Sequence, residues 1–215
     1  MFNYEALKQA PVETAPFPYM ILPNFITPEH LPSIHADYPN IEQSGSFPIQ
    51  DLRYGAAFKQ LVAELNSQTF REYIEEKFHV SLHGLPTITT VRGRCAARDG
   101  AIHTDSVTKI ITVLLYMNPQ WEKPGGQLRL LRDATNIDNY ITEIPPAEGT
   151  LLVFKVTDNS WHGHLPFEGE RRVVQFNWLT SHVVAKRELL RHRLSYRMKR
   201  LRSWIKHWCK PARDG

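Results

Sequence analysis

The sequence predicts an α+β fold in which helices come first and an antiparallel β-sandwich or jelly roll follows. Three observations carry this. Apolar residues recur at helical spacing between Ala57 and Phe78. After Val80 the texture changes to short runs rich in β-branched and apolar residues, separated by turn clusters. Strands and helices do not alternate as they would around a parallel sheet.

In chain order, residues 1–20 hold Pro11, Pro16 and Pro18 and read as an extended lead-in. Tyr19–Leu22 is a short apolar run suited to a strand. Thr27 is placed to cap a helix with Pro28 at its first position, and the helix should end near Asp37, before Pro39. Residues 40–56 show no period and read as a loop. Phe58, Leu61, Val62 and Leu65 define one helix; Phe70, Tyr73, Ile74 and Phe78 define a second, capped by Ser67. Strands are expected over Thr87–Gly93, Lys109–Met117, Gln127–Arg132, Tyr140–Ile144, Thr150–Val156 and Val173–Leu179. Pro124-Gly125-Gly126, Pro145-Pro146 and Glu148-Gly149 are among the turns between them.

The length of 215 residues fits one sizeable domain. Cys95 and Cys209 are the only cysteines, too few for a disulfide framework, and their usage suits a reducing, cytoplasmic compartment. No basic-then-apolar leader opens the chain and no run of about 18 apolar residues occurs. The net charge of +4 is unevenly spread. Residues 1–185 carry 15 Lys and Arg against 20 Asp and Glu, whereas residues 186–215 carry 11 against 2. The basic character belongs to the tail.

The chemistry concentrates between His103 and Arg172. His103-Thr104-Asp105 puts an imidazole and a carboxylate two residues apart, the spacing that aims both to one face of a strand end. A second imidazole, His162 or His164, follows 57 or 59 residues beyond Asp105, room for several intervening strands. Two histidines and one carboxylate form the facial triad that holds non-haem Fe(II) and leaves positions open for other ligands. Arg171 and Arg172 offer a planar fork suited to a carboxylate.

The order of the pieces is specific. Lys109–Met117, then Asn118-Pro119-Gln120-Trp121, Gly125-Gly126-Gln127-Leu128, Gly149–Phe154, Trp161-His162-Gly163-His164-Leu165-Pro166 and Gly169-Glu170-Arg171-Arg172 occur in a sequence that resembles the prolyl-hydroxylase-like branch of the 2-oxoglutarate- and Fe(II)-dependent oxygenases. The resemblance runs from about Pro18 to Thr180. It implies a double-stranded β-helix, or jelly roll, with the N-terminal helices packed on it; the tail after residue 181 lies outside the resemblance, and its own spacing predicts a basic C-terminal helix. It implies Fe(II) on His103, Asp105 and His162, with His162 preferred to His164 because Pro166 follows it by four residues. It implies Arg172, or Arg171 as the alternative, as the clamp on the distal carboxylate of 2-oxoglutarate. The serine that many relatives place just after this arginine is replaced by Val173 and Val174, so another donor is needed, with Lys109, Tyr116, Thr112 and Arg92 as candidates. Asp105 favours hydroxylation over halogenation, since halogenating relatives lose that carboxylate.

The function expected from the resemblance is hydroxylation of an unactivated C–H bond, coupled to oxidative decarboxylation of 2-oxoglutarate to succinate and CO2. Dioxygen is the oxidant, and ascorbate is a candidate reductant. The substrate is a small molecule, a glycan or a peptide. Residues 40–56 and 94–101 are the candidate lid segments. The expected organisation is an oxygenase domain over 1–182 and a basic amphipathic tail over 183–215. In the tail, Leu190, Leu194, Met198, Leu201, Ile205 and Trp208 form a helical stripe between Lys and Arg, so residues 186–208 suit peripheral contact with the inner face of an anionic membrane. A nucleic-acid partner is disfavoured by the acidic balance of residues 1–185. The competing class is a catalytically silent jelly-roll binding protein recruited by this tail.

Overall fold

A computed structural model describes residues 1–191. Among the described residues, four α-helices and nine strands up to Leu179 form three layers, helices, a six-stranded antiparallel sheet and a three-stranded sheet, and a further helical segment follows at 182–191. The helices are α1 (Tyr4–Gln9), α2 (Leu31–Ala36), α3 (Ala56–Leu65) and α4 (Gln68–Phe78). The strands are β1 (Tyr19–Leu22), β2 (Phe47–Pro48), β3 (Thr87–Cys95), β4 (Lys109–Tyr116), β5 (Leu128–Leu131), β6 (Tyr140–Ile144), β7 (Leu151–Lys155), β8 (His162–Gly163) and β9 (Gly169–Leu179). The large sheet runs β1-β7-β4-β9-β3-β2 and the small one β6-β5-β8. This is the α+β, double-stranded β-helix arrangement.

The large sheet is the middle layer, so its two faces need different partners. Along β4, Ile111, Val113 and Leu115 face α3 and α4, joined by Val174, Phe176 and Trp178 of β9. The alternate residues Leu114, Tyr116 and Val173 face the small sheet, with Leu128, Leu130 and Ile144. A strand covered on both faces has no polar alternation, which is why residues 110–116 read as a nearly continuous apolar run. Phe70 of α4 ties the layers together: it is fully buried and its ring lies 5.9 to 6.0 Å from those of Phe2, Phe25 and Trp178.

Several expectations need adjustment. The lead-in contains the helix α1, which the prolines around it hid; Asn3 caps it by accepting from the Ala6 amide at 3.0 Å. Thr27 makes no backbone cap. Its hydroxyl meets Glu29 and His30 side chains, and Pro28–His30 is a 3-10 turn that leads into α2. The segment 40–56 is not all loop: it contributes β2, paired to Val91 and Thr90 of β3. Such two-residue strands are too short to show a period. Ser67 does cap α4, accepting from the Phe70 amide at 3.1 Å. Residues 182–191 are helical, with Val183 and Leu190 exposed; the remainder of the stripe, through Trp208, lies outside the described residues. Among the described residues no helix is long and apolar enough to cross a membrane.

Phe70→Ala is expected to lower the unfolding free energy by about 3–5 kcal/mol, read as a lower urea midpoint at unchanged slope.

Candidate active site

Between the two sheets lies a cavity of about 180 Å³. Its lining follows from strand alternation: Thr90 and Arg92 from β3, Thr112 and Leu114 from β4, and Arg171, Val173 and Gln175 from β9. The loop 100–105 and β8 close the rim with Gly100, His103, Asp105, His162 and His164.

His103, Asp105 and His162 converge there, with one ligand atom from each within 4.8 Å of the others. The convergence is built by the backbone. His103 and His162 form an antiparallel bridge, with amide-to-carbonyl bonds of 3.0 and 2.9 Å, and their rings lie 4.3 Å apart. Sequence spacing had suggested a shared strand end for His103 and Asp105. Instead, only the bridge is regular, and Asp105 sits in the loop before β4, fixed by its side-chain partners. Lys109 Nζ donates to Asp105 Oδ1 at 2.7 Å and Thr112 Oγ1 to Asp105 Oδ2 at 2.5 Å. Thr112 Oγ1 also lies 2.9 Å from Asn177 Oδ1.

Both imidazoles are oriented the same way. His103 Nδ1 lies 2.8 Å from the Ala101 carbonyl and His162 Nδ1 lies 2.9 Å from that of Ser160. A carbonyl only accepts, so each Nδ1 carries the proton and each Nε2 keeps a lone pair for a ligand. Burial, and then the neighbouring His103, lower the pKa of His162 to about 4. Burial raises that of Asp105, but Lys109, His162 and the bonds from Lys109 and Thr112 outweigh it, and the net shift is downward. At neutral pH His162 is neutral and Asp105 ionised, the protonation states a divalent metal requires of them.

The two arginines separate by strand parity. Arg171 is buried and lines the cavity; its Nε donates to the Gly126 carbonyl at 2.8 Å, and its guanidinium lies 5.5 Å from the centroid of the Tyr116 ring. Arg171 Nη2 and the Tyr116 hydroxyl are buried and make no hydrogen bond of ordinary geometry. Arg172, the first expectation for the clamp, points to the other side of β9, pairs with Glu170 and lies over Tyr38. Val174, Phe176 and Trp178, which face the helices, already fix that parity in the sequence.

The other candidates are placed as follows. Lys109 and Thr112 attend Asp105, and Arg92 pairs with Asp99 at 2.7 Å. Tyr116 is the candidate that adjoins Arg171. His164 lines the cavity outside the three-ligand group, with Nδ1 2.8 Å from the Leu165 carbonyl. Gly100, at φ +93°, lets the loop lie against that ring, since a Cβ there would overlap it. Of the lid segments, 40–56 supplies Ser46 and 94–101 supplies Gly100. Ser46, Thr90 and Gln175 escaped the sequence reading. A signal existed for Gln175: it alternates with Val174 and Phe176 and so shares a face with Arg171 and Asn177.

Residues 94–180 match the family model of the 2OG-Fe(II) oxygenase superfamily. That match spans about two fifths of the chain and takes in His103, Asp105, His162 and both arginines, and with the shared fold it supports an Fe(II)- and 2-oxoglutarate-dependent dioxygenase with O2 as the oxidant. Solved structures agree on the fold. A prolyl-4-hydroxylase of Pseudomonas putida superposes with a TM-score of 0.54 at 19% identity, over 75% of this chain and 92% of that one. A viral collagen prolyl hydroxylase from Paramecium bursaria Chlorella virus-1, in its 2-oxoglutarate complex, gives 0.53 at 16%, over 76% and 95%. A prolyl hydroxylase from Trichoplax adhaerens, bound to a hypoxia-inducible factor peptide fragment, gives 0.50 at 18%, over 75% and 83%. No curated protein matches the chain.

A histidine whose folded pKa is depressed to about 4 binds its proton less readily than in the unfolded chain, where the value is about 6.5. Its stabilising contribution is full above about pH 6.5 and is lost as pH falls toward 4, roughly 3 kcal/mol for a shift of this size. Metal-free His162→Asn is therefore expected to lose less stability than the parent between those pH values, as measured by urea unfolding across the range.

Proposed function

We propose that the cavity binds Fe(II) through His103, Asp105 and His162 and 2-oxoglutarate through Arg171 and Tyr116, and that the domain hydroxylates an unactivated C–H bond. The observation that carries this reading is the buried Arg171 on the wall of the same cavity as the three metal-type ligands, with its Nη2 outside any hydrogen bond of ordinary geometry and its guanidinium against the buried Tyr116. A buried guanidinium with an unused donor is costly unless an anion meets it. A dicarboxylic acid has the right chemistry: one carboxylate for the fork, the other end for the metal.

When bound, iron, 2-oxoglutarate and dioxygen supply the oxidising power, with succinate and CO2 as co-products. The chain supplies position. The Ala101 and Ser160 carbonyls hold the Nδ1 protons, so each Nε2 faces the metal position. Thr112 and Lys109 hold the Asp105 carboxylate against rotation. Gly126 fixes Arg171 by accepting from Nε, which leaves the outer guanidinium edge for the co-substrate. Leu114, Leu128 and Val173 supply apolar wall that limits water around the reacting carbon.

In this reading residues 1–182 are the catalytic unit. The substrate is a peptide or a small molecule; the peptide option draws on the prolyl hydroxylases whose fold this chain shares. Peripheral membrane contact through residues 186–208 remains a separate proposal, resting on their charge and apolar stripe.

Anaerobic calorimetric titration with Mn(II) and then 2-oxoglutarate tests the assignment. His103→Ala is expected to abolish metal binding. Arg171→Ala should retain the metal and weaken 2-oxoglutarate roughly 10- to 100-fold, the loss of a charged hydrogen-bonded contact. Arg172→Ala should change it by no more than about twofold. The reverse order of the two arginine variants would refute the clamp.

A further inference from the structure

The loaded site leaves one cation over. Among the described residues, the fully charged side chains that line the cavity are Arg92, Asp105, Lys109 and Arg171. Arg92 is neutralised by Asp99, 2.7 Å away. In the reading above, Arg171 meets the distal carboxylate of 2-oxoglutarate. The metal dication is matched by Asp105 and the other carboxylate of the co-substrate. Only Lys109 then lacks a counter-charge of its own, because the Asp105 charge it contacts is shared with the metal.

Lys109 is turned inward by a specific backbone device. Residues 112, 114 and 116 of β4 face the inner side, whereas 111, 113 and 115 face the helices. By strict alternation residue 109 would join the second set and residue 110 the first. A register shift between Lys109 and Ile111, against Leu179 and Trp178 of β9, reverses this. Ile110 packs with the helix-side core and Lys109 lines the cavity. A bulge re-aims a side chain at the cost of a ladder bond, and here the residue it brings in is a cation on a four-carbon stem, sixteen per cent exposed at its side chain. Lys109 Nζ meets Asp105 Oδ1 while Thr112 meets the other carboxylate oxygen, and an ammonium carries three N–H donors, so its contact with Asp105 leaves donors for a second anion.

Resting on the proposed loading of the site, we infer that Lys109 anchors a single negative charge on the substrate, and that the substrate is a carboxylic acid presenting its carboxylate beside the metal position. One uncompensated cation complements a monoanion. A phosphate dianion would leave negative charge unpaired in a partly buried cavity. Ser46, Thr90 and Gln175 line the same cavity and offer neutral hydrogen bonds to the remainder of such a molecule.

The test uses the full chain loaded anaerobically with Mn(II) and 2-oxoglutarate. Probes are matched acids and primary amides: L-proline and L-prolinamide, L-leucine and L-leucinamide, N-acetyl-L-proline and its amide. Paramagnetic broadening of the probe protons reports approach to the metal and does not depend on turnover. Loading is verified first by calorimetry; its failure in the parent protein sinks the reading of the site as a whole. With loading intact, at least one acid is expected to broaden at least tenfold more than its amide. That preference should vanish in Lys109→Gln and persist in Lys109→Arg. Equal broadening of acid and amide, no broadening by any acid, or an acid preference that survives in Lys109→Gln overturns the inference. So does loss of metal loading in both variants, which would make Lys109 a holder of Asp105 alone.

Discussion

The middle sheet has to satisfy two different neighbours at once, and the two-residue period of its strands decides which side chain goes where. On β9, Val174, Phe176 and Trp178 are committed to the helices. Arg171, Val173 and Gln175 are thereby committed to the cavity. On β4 the same logic sends Ile111, Val113 and Leu115 one way and Thr112, Leu114 and Tyr116 the other. The hydrophobic contact between helices and sheet is thus also what aims the polar residues. A one-residue slip of either strand would bury the active-site groups under α4 and present core residues to the cavity.

Two local departures from that period lie beside the cavity. The shift at the start of β4 brings Lys109 inward. A second shift, between β3 and β9, lies where Arg92 and Arg94 face Val173 and Glu170, next to the two arginines of β9. The remaining precision comes from backbone carbonyls. Ala101 and Ser160 each take an Nδ1 proton, and Gly126 takes the Arg171 Nε proton. Carbonyls are available at these places because the loop 100–105, β8 and the Gly125-Gly126 turn are not fully paired in a sheet. The irregular parts of the fold therefore orient the groups that the regular parts bring together.

Electrostatics and burial are matched to metal binding. His162 is kept neutral by its burial, and Asp105 is kept ionised by Lys109 and Thr112 despite its own. Asp105 owes its state to Lys109 and Thr112 of β4 together with His162, whereas His162 owes its own first to burial and then to His103, with the Ser160 carbonyl acting in the opposite direction. The buried Arg171 is held by the Gly126 carbonyl at Nε and by the Tyr116 ring beside it, and its Nη2 is outside any hydrogen bond of ordinary geometry.

The sequence by itself determined the larger part of this. Periodicity located α3, α4 and most strands, because those segments are long enough for a pattern to rise above local composition. The triad types and the order of the motifs pointed to the superfamily that residues 94–180 match. Other features needed the folded chain. α1 and β2 are too short to carry a period, and Thr27 found side-chain partners in place of a backbone one. Which of Arg171 and Arg172 faces the cavity was written in the parity of β9 but became visible only once the helices showed which face they cover. The bulge that turns Lys109 inward, and the carbonyls that set both imidazoles, have no local signature. They depend on which strand lies opposite, and that is decided by the tertiary structure alone.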